Sequence, residues 1–124
     1  MKLSLDYSTA RYAINAYDSG VITVNNQEYS ESLVVAPEQL LENWPPRLLE
    51  HIDASHIEYL ISLKPEIILL GTGKTIRFPH PSLSAPALQL GIGFEVMDTG
   101  SACRTYNVLS AEDRNVVAAL LMIE

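Results

Sequence analysis

The first third of the chain alternates between apolar and polar positions, which is typical of β-strands. Residues 12–17 alternate in this way, and residues 21–24 follow as a β-branched run. The dipeptides at 19–20 (Ser-Gly) and 25–26 (Asn-Asn) are turn signals, because Gly and Asn tolerate positive φ. Residues 28–36 follow the second turn and could continue the series, so the pattern predicts a meander of short strands.

After a Pro-rich connection the pattern changes to alternating helices and strands. Asp53 is a suitable N-cap for a helix that ends before Pro65. The apolar run within residues 66–70 is typical of a strand that is buried on both faces, and residues 94–97 predict a second buried strand. With a helix over residues 83–91 between them, the spacing predicts a βαβ unit with two parallel strands.

Two further helices are predicted near the C-terminus. One begins near Ser101. Residues 110–113 (Ser-Ala-Glu-Asp) resemble a capping box for the other. The residues that predict its apolar stripe are Val116, Val117, Leu120 and Leu121.

The predicted parallel strands place two polar segments at one edge of the sheet. Residues 71–74 (Gly-Thr-Gly-Lys) follow the first strand, and residues 98–101 (Asp-Thr-Gly-Ser) follow the second. Because the carboxyl ends of parallel strands emerge on the same side, we expect these segments to be neighbours. Open α/β sheets commonly bind ligands at this edge, so it is the main functional indication from spacing.

Three enzyme-like motifs in the chain are incomplete. A P-loop ending at Lys74 needs a glycine where Ile68 stands, and a dinucleotide fingerprint needs one where Ile76 stands. The Asp-Thr-Gly-Ser string at 98–101 resembles that of an aspartic protease, but a helix is predicted after it instead of a β-rich body. A tight turn that ends a strand explains the glycines better.

The single cysteine and the three histidines form no recognisable site. Cys103 has no neighbouring histidine, and Leu109 stands where a phosphatase motif needs arginine, so we expect a buried structural thiol. His51, His56 and His80 lack the spacing of metal ligands and are expected on the surface or at helix ends. We therefore predict no catalytic residue, no metal and no cofactor.

Composition excludes several classes of protein. The 124 residues have the length of one domain, so we expect a single domain over residues 1–124. Fifteen acidic and eight basic side chains give a net charge of −7, which disfavours nucleic-acid binding. No apolar run approaches the roughly 20 residues of a membrane span, and the N-terminus carries no recognisable targeting signal. A cytoplasmic protein without an integral membrane segment is expected.

An anion site at the predicted edge is an alternative that the residues leave open. A helix that begins near Ser101 offers free backbone N–H groups, Arg104 and Lys74 add positive charge, and Asp98 could act as a base. In the competing interpretation, Thr99 or Ser101 caps the helix and Arg104 pairs with an acidic side chain.

Much of the chain resembles a known domain family. Residues 97–109, followed by Glu112 and Arg114, are similar to a family of unknown biochemical function. That family includes the mitochondrial respiratory complex I (NADH:ubiquinone oxidoreductase) assembly factor 3 and bacterial and archaeal homologues. Residues 65–73 and 29–33 extend the resemblance.

The resemblance implies a three-layer α/β fold, with a mixed five-stranded central sheet, helices and an additional small β-hairpin layer. It implies no enzymatic activity, since the mitochondrial relatives act by binding during assembly of a respiratory complex. We therefore expect a noncatalytic assembly factor that binds protein partners of a membrane or respiratory complex and is peripheral to the inner membrane through them. The alternative is a small-anion-binding protein or enzyme.

Both functions would use the same edge, which the resemblance also marks. Its expected residues are Gly71, Thr72, Gly73, Lys74, Asp98, Thr99, Arg104, Tyr106 and Asn107. A third interpretation makes these residues purely structural, because most buried polar side chains serve to satisfy backbone groups.

Overall fold

The computed structural model describes residues 1, 3 and 10–124. The expectation that the N-terminus carries no targeting signal therefore concerns residues that lie mostly outside this description. The strands are β1 (Ile14–Asp18), β2 (Val21–Val24), β3 (Gln27–Tyr29), β4 (Leu33–Val35), β5 (Leu40–Leu41), β6 (Ile67–Gly71), β7 (Gly93–Met97) and β8 (Val116–Leu120). The α-helices are α1 (Ala54–Ser62), α2 (Pro81–Gln89) and α3 (Thr99–Ala111), and a 3₁₀ turn covers Leu49–His51.

A mixed five-stranded sheet forms the centre of the fold. Its strand order is β5-β4-β8-β6-β7. Strand β6 is parallel to both β7 and β8, whereas β4 is antiparallel to both β5 and β8. Strands β1, β2 and β3 form a separate antiparallel sheet. The expected α/β class with a mixed five-stranded sheet and a small second β layer is confirmed.

Two apolar cores cover the two faces of the central sheet. Successive residues of β8 point to opposite faces, so Ala118 packs with α3 and the small sheet, whereas Ala119 packs with α1 and α2. Every residue of β8 is buried. The resulting three layers are the helices α1 and α2, the central sheet, and α3 with the small sheet.

The prediction of a helix over residues 116–121 is wrong. This segment is β8, between β4 and β6 in the centre of the sheet. A surface helix needs a polar face opposite its apolar stripe, and residues 116–121 have no polar position. The apparent capping box belongs instead to the end of α3, because Ser110 is in its last turn and Glu112 is its C-cap.

The segment 28–36, which was expected to continue the meander, contains two strands that lie in different sheets. Strand β3 has two exposed residues and joins the small sheet, whereas all three residues of β4 are buried in the central sheet. The helix predicted over 83–91 begins earlier, at Pro81, because Pro is favoured in the first turn and His80 caps it by accepting the Ser82 backbone N–H.

Candidate functional site

The segments that follow β6 and β7 contact each other directly, as the strand directions predict. The backbone N–H of Thr72 donates to the Met97 carbonyl oxygen at 2.9 Å. The Gly73 N–H donates to Thr99 Oγ1 at 2.8 Å, and the Thr99 N–H donates to the Gly73 carbonyl oxygen at 2.9 Å. We call the surface around residues 71–74 and the first turns of α3 the sheet edge.

Thr99 joins three segments at this edge. Its hydroxyl is buried and donates to the Leu121 carbonyl oxygen at 2.6 Å while it accepts from Gly73. The neighbouring Gly71 has no room for a side chain, since an added Cβ would lie 3.0 Å from Thr99 Cα and 3.1 Å from a methyl group of Leu120. Thr99 and Gly71 therefore set the close approach of β6, β8 and α3.

Thr72 shapes the loop that leaves the edge. Its hydroxyl donates to the Thr75 carbonyl oxygen at 2.7 Å and accepts from the Arg77 backbone N–H at 3.0 Å. The loop over residues 74–80 is exposed except at the half-buried Pro79. The structure gives the Lys74 side chain no hydrogen bond or ion pair with the residues it describes.

Asp98, and neither Thr99 nor Ser101, is the N-cap of α3. One carboxylate oxygen accepts from the Ser101 backbone N–H and the other from the Ser101 hydroxyl, both at 2.8 Å. Burial alone would raise the pKa of Asp98, but the Ser101 hydrogen bonds and the nearby Arg104 charge outweigh it and hold the pKa below its ordinary value.

Arg104 contacts the small sheet, and among the described residues it forms no ion pair of the kind considered from the sequence. Its guanidinium donates to the Tyr17 hydroxyl and, at 3.1 Å, to the Ser101 hydroxyl. It also lies over the Tyr17 ring, 5.9 Å from the centroid. Arg104 therefore links α3 to β1.

Tyr106 and Asn107 anchor the chain before and within β1. The Tyr106 hydroxyl donates to the Tyr12 carbonyl oxygen at 2.7 Å, and burial raises the pKa of this phenol above its ordinary value. The Asn107 amide donates to the Ile14 carbonyl oxygen at 2.7 Å and accepts from the Ile14 N–H at 3.0 Å. Asn107 thus satisfies both backbone groups of Ile14, as a neighbouring strand would.

Cys103 and two of the histidines have structural positions. Cys103 is fully buried, and burial raises the pKa of its thiol to about 12. His56 Nδ1 accepts the Asp53 backbone N–H at the start of α1, and His80 caps α2. In the part of the chain that the structure describes, no three His, Cys, Asp or Glu side chains are grouped to hold a metal ion.

A cavity of about 180 Å³ lies at the sheet edge, beneath the loop that follows β6. The expected edge residues Thr72, Gly73 and Lys74 line it. Its other lining residues, which sequence reasoning missed, are Arg47, Leu48, Leu49, Thr75, Arg77, Leu121, Met122 and Glu124. They come from distant parts of the chain. No local sequence pattern brings these distant segments together.

The structure therefore divides the expected site residues into two groups. The side chains of Asp98, Thr99, Arg104 and Tyr106 bind other parts of this chain, as does that of Asn107. Thr72, Gly73 and Lys74 line a cavity that is open to solvent, whereas Gly71 packs against Thr99. No helix among the described residues is both long and apolar enough to cross a membrane.

Residues 14–121 match a protein family described as "protein of unknown function (DUF498/DUF598)". A Francisella tularensis protein named "13 kDa major membrane protein" is 31% identical over 107 residues, which are 85% of this chain and 86% of that protein. The Xenopus tropicalis NADH dehydrogenase [ubiquinone] 1 alpha subcomplex assembly factor 3 is 30% identical over 110 residues, covering 87% of this chain. The aligned region spans 60% of the length of that assembly factor.

The fold of this chain is similar to that of a protein whose structure has been solved. The solution structure of a Bordetella pertussis protein described as an Mth938-like domain superposes with a TM-score of 0.81 at 35% sequence identity. The superposition covers 98% of this chain and 92% of that protein. The layered arrangement described above is thus shared with this structure.

Proposed function

We propose that this chain, which belongs to the DUF498/DUF598 family, is a noncatalytic assembly factor that binds protein subunits of a respiratory or other membrane complex. The observation that carries this proposal is the similarity to the complex I assembly factor 3 over most of the chain. The relative named as a membrane protein supports a site of action at a membrane. We place the protein in the cytoplasm, at the inner membrane through its partner.

The proposed contact with the partner is the sheet edge. Lys74 is exposed there, and Gly73 and Thr72 line the cavity beside it. A partner with an apolar side chain and a carboxylate would fit this surface, because the cavity has leucine and methionine in its wall and Lys74 at its rim.

The geometry gives less support to the anion-binding or enzymatic alternative. A general base must accept a proton readily, but both oxygens of Asp98 accept hydrogen bonds from Ser101, and these bonds help to hold its pKa below the ordinary value and weaken it as a base. Arg104, the expected anion ligand, is held against Tyr17. These contacts favour a structural role for the first turns of α3.

The proposal is tested by removing the gene and measuring the assembled respiratory complex I on native gels of membranes. We expect less assembled complex, restored by the wild-type chain but not by Lys74→Glu, because reversal of this charge repels a carboxylate of the partner. Lys64→Glu is the matched control, since Lys64 is exposed just before β6, at the opposite end of that strand. Unchanged amounts of every membrane complex in the deletion strain would contradict the proposal.

A further inference from the structure

Three exposed apolar side chains belong to the two chain segments that border the cavity at the sheet edge. Phe78 is 74% exposed, Ile76 is 49% exposed and Leu48 is 44% exposed. We call these three residues the apolar patch. Leu49 links Leu48 to Phe78, because it lines the 180 Å³ cavity with Leu48 and a second cavity of about 330 Å³ with Phe78. Ile76 lies two residues before Phe78 on the same exposed loop. Grouped exposed apolar residues of this kind commonly mark an interaction surface.

Charges of both signs surround the patch. Arg77 lines both cavities and pairs with Glu50, and Arg47 lines the first cavity and pairs with Glu31 at 2.9 Å. The charged side chains at or next to its rim are Arg47, Lys74, Arg77, Glu31, Glu50 and Glu124. They are three of the chain's eight basic and three of its fifteen acidic side chains, so the patch is electrically balanced on an otherwise acidic protein.

This balance points to a second copy of the same chain as the occupant. Two copies with a net charge of −7 repel each other, and the repulsion is smallest where both bring a neutral surface. A two-fold contact also requires a surface that is complementary to itself. Adjacent ions of opposite sign meet that requirement, because Arg77 of one copy can face Glu50 of the other.

We propose that the apolar patch is the contact of a two-fold symmetric homodimer. Phe78 is the anchor of this contact, since it is the most exposed large apolar residue in the part of the chain that the structure describes. The cavity beside it, with Leu49, Ile52 and Leu83 in its wall, gives room for an apolar side chain of the second copy. This inference goes beyond the proposed function and does not depend on it. Because Leu48 also lines the cavity of the sheet edge, the dimer contact and the proposed partner contact share that wall and compete for it.

Sedimentation equilibrium of the purified full chain tests the proposal, over about 1 μM to 1 mM so that weak association is also detected. We expect the mass to rise from 13.7 kDa towards twice that value. The double variant Ile76→Ser, Phe78→Ser should weaken dimerisation at least tenfold. Val108→Ser is the matched control, because Val108 is 60% exposed on α3, outside the patch, and it should dimerise like the wild type.

A charge exchange tests the two-fold geometry separately. Arg77→Glu places two acidic side chains together on each copy and should weaken the dimer, whereas Arg77→Glu combined with Glu50→Arg restores opposite charges and should recover it. Urea unfolding of each variant checks that the chain is folded.

Three results would overturn the inference. They are a wild-type chain that is monomeric at every concentration, a dimer that survives the double apolar variant, and a dimer that Val108→Ser disrupts equally. A monomeric wild type whose Phe78 variants fail to restore complex assembly would assign the patch to another protein, and the proposed function would stand. A deletion strain with no assembly defect, together with a dimer that behaves as expected, would overturn the proposed function and leave this inference standing.

Discussion

Asp98 shows how a residue with the sequence context of a catalytic carboxylate can be structural. It follows β7 and precedes Thr-Gly-Ser, but its two oxygens cap α3 through Ser101. Arg104 adds a charge nearby, and its own guanidinium is directed to Tyr17. Acidic and basic side chains at this edge therefore resemble those of an active site, but here they cap a helix and link it to the sheets.

The lowered pKa of Asp98 predicts a pH-dependent stability. Because the pKa is lower in the folded chain, the ionised carboxylate stabilises the fold above its unfolded pKa, and this contribution is lost as the pH falls through the folded value. Asp98→Asn keeps a capping side chain but no charge, and it should lower the free energy of unfolding at pH 7 by about 0.3–1 kcal/mol.

Urea unfolding at pH 7, 5 and 3 measures this effect. The difference between the wild type and Asp98→Asn should shrink at pH 3, below the ordinary Asp pKa of about 3.9. Glu95→Gln, at an exposed position of β7, is the control. A difference that stays constant from pH 7 to pH 3 would show that the Asp98 charge contributes nothing.

At the scale of elements, the approach of α3 to the central sheet depends on a glycine. Gly71 ends β6, and Thr99 begins α3 directly over it. The hydroxyl of Thr99 then reaches the Leu121 carbonyl oxygen beyond β8. The helix and two strands are fixed to one another at this point, so any widening of the contact also strains the hydrogen bonds of the sheet edge.

Gly71→Ala should therefore destabilise the fold by about 1–3 kcal/mol, the usual cost of overpacking. The added methyl group would lie 3.0 Å from the backbone carbon Cα of Thr99, which cannot rotate away. In Gly93→Ala the nearest atom is a side-chain carbon of Ile67 at 3.2 Å, so the loss should be smaller. Equal losses in chemical denaturation of the two variants would contradict this account of the contact.

At the scale of the whole molecule, Cys103 reports on global unfolding. The thiol lies in the core between the central sheet, α3 and the small sheet, and its pKa is raised to about 12 by burial. We expect a disulfide reagent to react slowly with the native chain and faster across the urea transition, because only the exposed thiolate is nucleophilic.

An exposed cysteine on the same helix is the control for this experiment. The variant Cys103→Ala, Val108→Cys should react rapidly in native buffer, since position 108 is largely exposed. Rapid labelling of wild-type Cys103 without denaturant would contradict the burial of this residue or show that the core opens locally.

The sequence alone determined those features that depend on neighbouring residues. The short apolar run of β6 ends at glycine, as expected for a buried strand. Helix α1 begins directly after Asp53, because the Asp53 side chain accepts the Ser55 backbone N–H and caps the helix. The neighbouring ends of β6 and β7 also followed from order and spacing, since parallel strands joined by a helix must end on the same side.

Only the tertiary structure decided the rest. Residues 116–120 form strand β8 because β4 and β6 pair with them on both sides. From sequence alone, an apolar run without polar positions does not distinguish a central strand from a buried helix. Likewise, Asn107 is an anchor because Ile14, far away in the sequence, presents its backbone to it. Such contacts depend on which distant segments meet, and local periodicity carries no information about that.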